Sequence, residues 1–229
     1  MGYVGKVIEN KKYENDIHVL KITFPEIEEF YHEPGQFAVL KPNGIGRAYS
    51  IANYPAEEYL EFCIKKVPNG KVSPVICSMK PGDKIALDAP FGDFIINKKP
   101  KHNLVFICVG TGIAPIKAML EFLVKEEIHN KKDVLLIYGW REKQHPYFEF
   151  FKFLKEKGID VKITGDVEST LQTIPSLKGF EAYICGSPQF VKRTIEICAL
   201  KNAEKINFEK CIFSEKELKE LEKLLGFFP

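Results

Sequence analysis

Arg47, Ala48, Tyr49 and Ser50 put a fixed cation, a small spacer, an aromatic ring and a hydroxyl on four consecutive positions. If the stretch is a strand, Arg47 and Tyr49 share a face, because side chains alternate with a period of two. A guanidinium grips phosphate oxygens bidentately, a phenol ring stacks on a planar heterocycle, and a serine hydroxyl hydrogen-bonds a ring nitrogen. The trio suits the phosphate and ring of a flavin, although a half-exposed strand carrying a surface arginine gives the same string. A second piece, Gly70-Lys71-Val72-Ser73 followed by Pro74, predicts a helix start with Ser73 as N-cap and Pro74 at the first helical position. Free N–H groups and the positive end of the helix dipole there make an anion site suited to a pyrophosphate, or else an ordinary capped turn.

Three further strings carry unusual residues. Gly110-Thr111-Gly112-Ile113-Ala114-Pro115 follows an apolar run and opens a helical pattern, so backbone there could approach a dinucleotide closely; a tight strand-to-helix connection is the plainer reading. Tyr138-Gly139-Trp140-Arg141-Glu142-Lys143 places two cations where the far end of a dinucleotide would lie, or simply on a solvated surface. Cys185-Gly186-Ser187-Pro188 ends another apolar run, with Ser187 as N-cap and Pro188 starting a helix. No basic or metal-binding residue adjoins Cys185, so a packing and positioning role is expected of its thiol rather than covalent nucleophilic work.

The elements that must position these residues change character along the chain. Up to residue 98, short β-type runs alternate with Pro and Gly: Val4 to Ile8, Ile17 to Phe24, Gln36 to Lys41, Ala48 to Asn53, Tyr59 to Lys65 and Lys84 to Asp88. They predict a small antiparallel barrel with one short helix from Pro74 to about Met79. The polar stretch from Asn97 to Asn103 reads as a linker. Strand and helix then alternate: Leu104 to Val109, a helix to Glu127, Val134 to Tyr138, a helix from Pro146 to Lys157, and Ile159 to Ile163. A loop rich in turn residues leads to Ala182 to Cys185, a helix from Pro188 to Leu200, and a strand around Ile206 to Phe213. This is the pattern of a doubly wound parallel α/β sheet, whose ligands bind beyond the carboxyl ends of the strands. Ser214 to Glu217 starts a last helix as a capping box, with Leu218, Leu221, Leu224 and Leu225 as its apolar stripe.

Composition removes several function classes. The 229 residues carry 33 Lys plus Arg against 31 Asp plus Glu, a formal charge of +2, so no dominant field points to nucleic acid or an anionic membrane. The six cysteines stand at least thirteen residues apart, which leaves no close-spaced metal-ligand pair and no redox C-x-x-C. Most are expected to be small buried hydrophobes, as in a reducing cytoplasm. No apolar run approaches the ~18 residues of a membrane span, and the start lacks a leader pattern, so a cytoplasmic protein is expected.

Taken in order, Arg-Ala-Tyr-Ser, Gly-Lys-Val-Ser-Pro, Pro81-Gly82-Asp83 with Pro90-Phe91-Gly92-Asp93-Phe94, Gly-Thr-Gly-Ile-Ala-Pro, Tyr-Gly-Trp-Arg and Cys-Gly-Ser-Pro closely resemble the ferredoxin-NADP reductase superfamily. Residues 141 to 145 look like its NAD(P)H:flavin reductases. The resemblance implies a two-domain chain: a flavin-binding antiparallel β-barrel over residues 1–98, an NAD(P)H-binding α/β domain over 99–213, and a helical extension over 214–229. It implies FAD rather than FMN, because a pyrophosphate would sit at Gly70, Lys71, Val72 and Ser73, and it admits NADH or NADPH. Arg47 with Ala48 would meet the flavin phosphate, Tyr49 the isoalloxazine and Ser50 its N5 edge, with Ile64 and Lys65 also against the cofactor. Gly110, Thr111, Gly112, Ile113, Ala114 and Pro115 would meet the nicotinamide nucleotide, Gly139 and Arg141 its adenosine end, and Cys185 with Gly186 the nicotinamide. Tyr49, Ser50 and Cys185 would be the residues nearest the chemistry, with no metal.

The implied activity is hydride transfer from NAD(P)H to the flavin, then electron transfer to a free flavin or a redox protein. The alternative is a non-catalytic or partner-dependent subunit of a larger redox complex. Some relatives carry a cysteine-rich iron-sulfur motif near the C-terminus; here that region is Phe208-Glu209-Lys210-Cys211-Ile212-Phe213. The ending Gly226-Phe227-Phe228-Pro229 is expected to pack on the body or on a second subunit through the C-terminal helix.

Overall fold

A computed structural model describes residues 2–24, 30–55, 57–142 and 144–226, the side chains of 222–224 excepted. The chain divides into two compact units. One comprises residues 1–96, 113–126 and 142–149, the other residues 97–112, 127–141 and 150–229.

The first unit is built on six strands: β1 (Gly2–Lys12), β2 (Ile17–Thr23), β3 (Phe37–Lys41), β4 (Arg47–Ser50), β5 (Tyr59–Lys65) and β6 (Lys84–Phe91). Every pairing is antiparallel, in the order β4-β3-β6-β1-β2-β5. The two outer strands meet through a bridge between Ile51 and Phe62 and an Ala52 N–H bond to the Glu61 carbonyl at 2.8 Å, so the sheet closes. Closure leaves no long edge of unpaired backbone groups. A bulge between Val7 and Glu9 bends β1 into the curve. Inward positions alternate along the strands, and Ile85, Leu87 and Ala89 of β6 meet Leu20, Leu40, Phe62 and Ile76 in one core. Ile76 comes from the short helix α1 (Ser73–Ser78). Gly35, with φ of +108°, turns the chain where a β-carbon would lie 2.0 Å from the Phe94 carbonyl oxygen. The unit also contains α2 (Ile113–Lys125), with every residue from Ile113 to Leu120 buried.

The second unit holds five parallel strands: β7 (Asn103–Val109), β8 (Val134–Gly139), β9 (Asp160–Thr164), β10 (Phe180–Cys185) and β11 (Lys205–Phe208). Their order, β11-β10-β7-β8-β9, has the chain run outward from β7 on one side and return to the other, which is the doubly wound arrangement expected. Leu104 to Cys108 are all buried, as befits a central strand covered on both faces. Helices α3 (Phe148–Glu156), α4 (Val167–Gln172), α5 (Pro188–Leu200) and α6 (Glu215–Gly226) complete the elements. The Ser214 and Glu217 side chains and backbones cap α6 reciprocally, and Leu218, Leu221 and Leu225 pack on the α5 core. The apolar stripe of α6 is thus consumed inside its own unit; the Leu224 side chain and Phe227 to Pro229 lie outside the described residues.

Several expectations need correction. Ser73 does not cap α1: Val72 precedes the helix, and the Ser73 hydroxyl instead accepts the Val67 N–H at 2.9 Å. The strand expected over Ile206 to Phe213 stops at Phe208, because Phe213 N–H turns back to the Lys210 carbonyl. The loop expected after β9 contains α4, begun by Asp166, whose carboxylate accepts the Ser169 N–H at 3.1 Å. Among the described residues all six cysteines are free, and no helix is long and apolar enough to cross a membrane.

His32 is 1% exposed, and its Nε2 meets no partner among the described residues. Burial lowers its pKa from 6.5 to about 4. Between those values the unfolded chain binds the extra proton, so this contribution to stability is complete above about pH 6.5 and vanishes as pH falls to about 4. Urea titrations from pH 7 to 4 should show a loss of about 2 to 3 kcal/mol from this residue, and His32→Phe should flatten that slope. Burial moves His18 and His145 in the same direction, so a smaller slope persists in the variant.

Candidate functional site

The flavin half of the predicted site lies in the barrel unit. β4 pairs with β3, setting Arg47 opposite Leu40, Tyr49 opposite Ala38 and Ser50 opposite Phe37. Arg47 is exposed and spends one N–H on the Gly46 carbonyl at 2.8 Å; among the described residues its other donors meet no protein acceptor. Tyr49 is half-buried against the barrel core, as is Cys77 of α1. Burial pushes the Tyr49 phenol up to about 12, the Cys77 thiol adds to the shift and the Arg47 charge opposes it. Arg47, Tyr49 and α1 therefore lie in one neighbourhood. Ala48 is exposed, and the Ser50 hydroxyl is half-buried with no protein partner among the described residues.

The turn before α1 is compact. Gly70 N–H bonds the Val67 carbonyl at 3.0 Å, and Asn69 takes φ of +61°. A β-carbon on Gly70 would lie 3.1 Å from the Val67 carbonyl oxygen and 3.4 Å from the Ser73 hydroxyl. Lys71 is exposed, whereas Val72 and Ser73 are buried. Ile64 has its side chain sealed in the barrel core, which leaves only backbone for a ligand; Lys65 beside it is exposed.

The nucleotide half is assembled by glycines at the carboxyl ends of the parallel strands. Residues 110–112 form a single 3₁₀ turn, with Gly110 at φ of +55° and its carbonyl accepting the Tyr138 hydroxyl at 3.2 Å. A β-carbon on Gly112 would lie 2.5 Å from the Cys185 carbonyl oxygen. One on Gly186 would lie 2.7 Å from a Val109 methyl, and one on Gly139 would lie 2.6 Å from the other. The Gly112 and Gly186 contacts sit where the strand order reverses, between β7 and β10, and the Gly139 contact sits beside them between β7 and β8. Thr111 is half-buried, and Ile113, Ala114 and Pro115 are buried and group with the barrel unit. Arg141 is exposed and bonds the Gly165 carbonyl through Nε at 3.2 Å, at the end of β9. Lys143 lies outside the described residues. The Cys185 thiol is pushed far up, first by burial and then by Glu209, so it stays protonated at neutral pH. A protonated, buried thiol is not activated as a nucleophile.

Comparison with known proteins matches residues 5–96 to an oxidoreductase FAD-binding domain and 106–164 to an oxidoreductase NAD-binding domain. The chain belongs to the ferredoxin-NADP reductase superfamily. A terephthalate 1,2-dioxygenase reductase component of Comamonas sp is 28% identical over 211 residues, covering 83% of this chain and 62% of that protein. The gamma subunit of sulfhydrogenase 2 from Pyrococcus furiosus is 30% identical over 194 residues, covering 80% and 66% respectively. A ferredoxin NADP+ reductase structure from Neisseria gonorrhoeae, with FAD and NADP bound, superposes with a TM-score of 0.72 at 24% identity, covering 88% of this chain and 92% of that one. The chain spans about three fifths of the length of the first of these curated relatives.

Within this superfamily member, the residues present fit the two cofactors its domains bind. An exposed guanidinium with free donors and a glycine turn before α1 suit phosphate groups, and the glycine-lined strand ends suit a flat nucleotide laid against backbone. Sequence reasoning missed two features. Glu209, 3% exposed, directly follows β11 and accepts the Cys211 N–H at 3.0 Å close to Cys185; an acid directly after a strand was its only signal. Buried Lys117 and Glu61 and half-buried Glu121 form a charged group in the barrel unit. An i,i+4 pair inside an otherwise apolar helix was the trace they left.

The glycine contacts give a direct test. Gly112→Ala should cost about 2 kcal/mol or more in denaturant titrations, because its new carbon meets backbone that cannot swing aside. Gly165→Ala, whose β-carbon would find only the Arg141 Cγ at 4.0 Å, should change stability by under about 0.5 kcal/mol.

Proposed function

We propose that the chain is an NAD(P)H-dependent flavoprotein reductase that takes hydride from the nicotinamide onto bound FAD and passes electrons to a redox acceptor. The observation that carries this reading is that one chain keeps both halves intact: the Arg47-to-Ser50 strand beside α1, and the glycine-lined strand ends at 110–112, 139 and 186. Bound flavin supplies the conversion of a two-electron hydride into electrons released singly.

The chain's own residues bind and orient. In this proposal Arg47 holds phosphate through its free donors, Tyr49 lays its ring against the isoalloxazine, and Ser50 presents its hydroxyl to the N5 edge. Gly70 to Ser73 receive a pyrophosphate, which supports FAD over FMN. Gly110 to Pro115 take the nicotinamide nucleotide, Gly139 and Arg141 its adenosine end, and Cys185 with Gly186 border the nicotinamide. Arg141 accommodates either NADH or NADPH. Tyr49 and Cys185 both stay protonated at neutral pH, so neither brings a charge to the ring or acts as a base. Hydride delivery needs none; it needs reacting atoms at about 3 to 3.5 Å with aligned orbitals.

For the acceptor, a separate redox protein is favoured over free flavin, because relatives bear the names of reductase components and subunits of larger systems. A purely regulatory subunit would have no use for Arg47, Tyr49 and Ser50 held together. The domain limits 1–98, 99–213 and 214–229 and a cytoplasmic location belong to the same proposal.

Purified protein should be yellow, with a spectrum that bleaches when NADH or NADPH is added without oxygen. Arg47→Ala should weaken flavin retention about tenfold to a hundredfold, the loss of one charge-assisted phosphate contact. Protein that remains colourless after incubation with FAD would reject the proposal.

A further inference from the structure

A buried lysine in the barrel unit has no part in the site as described, yet it touches the chain on either side of it. Lys117 lies on α2, one turn after Ile113, with its side chain 8% exposed. Its ammonium donates to the Glu121 carboxylate at 2.6 Å and to the Ala52 carbonyl at 3.0 Å, and it pairs with Glu61 of β5 at 3.3 Å. The Tyr147 ring lies 5.4 Å away. The second Glu121 oxygen accepts the Tyr54 N–H at 2.8 Å. Glu61 binds the same tetrapeptide through its backbone, accepting the Ala52 N–H and donating to the Asn53 side chain at 2.7 Å. Ile51 N–H is taken by the Gln36 carbonyl at 2.9 Å. Every residue from Ile51 to Tyr54 is thus fixed, and this is the segment that leaves Ser50.

Stability alone does not account for this group. α2 is apolar around it, and an uncharged side chain of similar volume there would avoid the cost of desolvating three charges. An ammonium among carboxylates and a carbonyl does something methyl groups cannot: it sets distances and directions between three elements, and any displacement leaves a buried charge unpaired.

We infer that Lys117 is a positioning residue, tying the first turn of α2, with Ile113, Ala114 and Pro115, to the segment that follows Tyr49 and Ser50. The inference rests on the hydride-transfer reading above. The Gly-Thr-Gly-Ile-Ala-Pro string enters α2 through those three residues, and a helix interior transmits a fixed orientation to its first turn. Lys117 therefore governs the alignment of hydride transfer without touching either cofactor, and its removal should affect the transfer rate rather than occupancy.

The test uses FAD-loaded protein and two variants, Lys117→Met and the charge-balanced Lys117→Met/Glu61→Gln/Glu121→Gln, which leaves no carboxylate buried alone. Amide hydrogen exchange is followed in residues 51–54 and 113–118, and anaerobic single-turnover bleaching is measured across NADH concentrations. Exchange in the two segments should rise together while the other barrel strands keep their protection. The limiting bleaching rate should fall about tenfold to a hundredfold, the scale expected for displacements of an ångström or less. Flavin content and half-saturating NADH should hold. The balanced variant should recover thermal stability but not the rate, and it carries the test if Lys117→Met does not fold.

An unchanged limiting rate, a defect confined to flavin content or half-saturation, or exchange unchanged in both segments would overturn the inference. If the wild-type protein itself is not bleached by either coenzyme, the functional reading fails, and the exchange data still judge the tie by itself.

Discussion

Between the ends of β7 and β10 there is no room for a side chain at Gly112 or Gly186. The carbonyl of Cys185 occupies the space a β-carbon on Gly112 would need, and Val109 occupies that of Gly186 there and, on its β8 side, that of Gly139. This steric constraint organises the parallel unit. It lets the turn after the first strand and the turn after the fourth meet at backbone distance, at the point where strand order reverses. Close packing makes the arrangement brittle, since the atoms a methyl group would strike are main chain held in a buried sheet.

Electrostatics follow from the same economy. Two groups of the proposed site are kept neutral by burial: Tyr49 is pushed up to about 12, and the Cys185 thiol goes well beyond its ordinary range. Neither is set up to exchange protons at neutral pH. Charge is spent instead at two other kinds of place. Arg47 and Arg141 stand exposed, where they suit anionic groups of diffusing or bound nucleotides. Lys117 and Glu61 are buried and Glu121 half-buried, where a charge specifies geometry. A chain whose cofactors carry the reaction needs little else from its ionisable groups.

The change from period-two runs to strand–helix alternation identified both sheets, because each periodicity follows from which faces are buried. The glycine strings were legible for a similar reason: a glycine directly after an apolar strand has few uses besides a turn or a close approach. What escaped depends on tertiary partners. Ser73 carries every local feature of an N-cap, yet the Val67 N–H lies within its reach and takes the hydroxyl. Helix α4 spans only six residues, too few for a helical period to emerge, and Asp166 was its one signal. Glu61 looks like any outward strand residue until Lys117, far away in sequence, is placed against it. Sequence periodicity reports burial, and it is blind to which buried residues will carry charge.

The string Gly110 to Pro115 is continuous in sequence, but its two halves are packed by different cores. Gly110 to Gly112 belong with the parallel sheet, where Cys185 and Tyr138 define their path. Ile113 to Pro115 belong with the barrel and continue into a helix whose next turn carries Lys117. A turn fixed at one end alone would sample many conformations, each costing backbone entropy to reorder. Anchored independently at both ends, its backbone is ordered in advance. The buried lysine and the missing β-carbon of Gly112 are therefore complementary devices. One holds the outgoing helix by charge, the other admits the incoming turn by the absence of a side chain, and between them the backbone of residues 110–115 has little freedom left to lose.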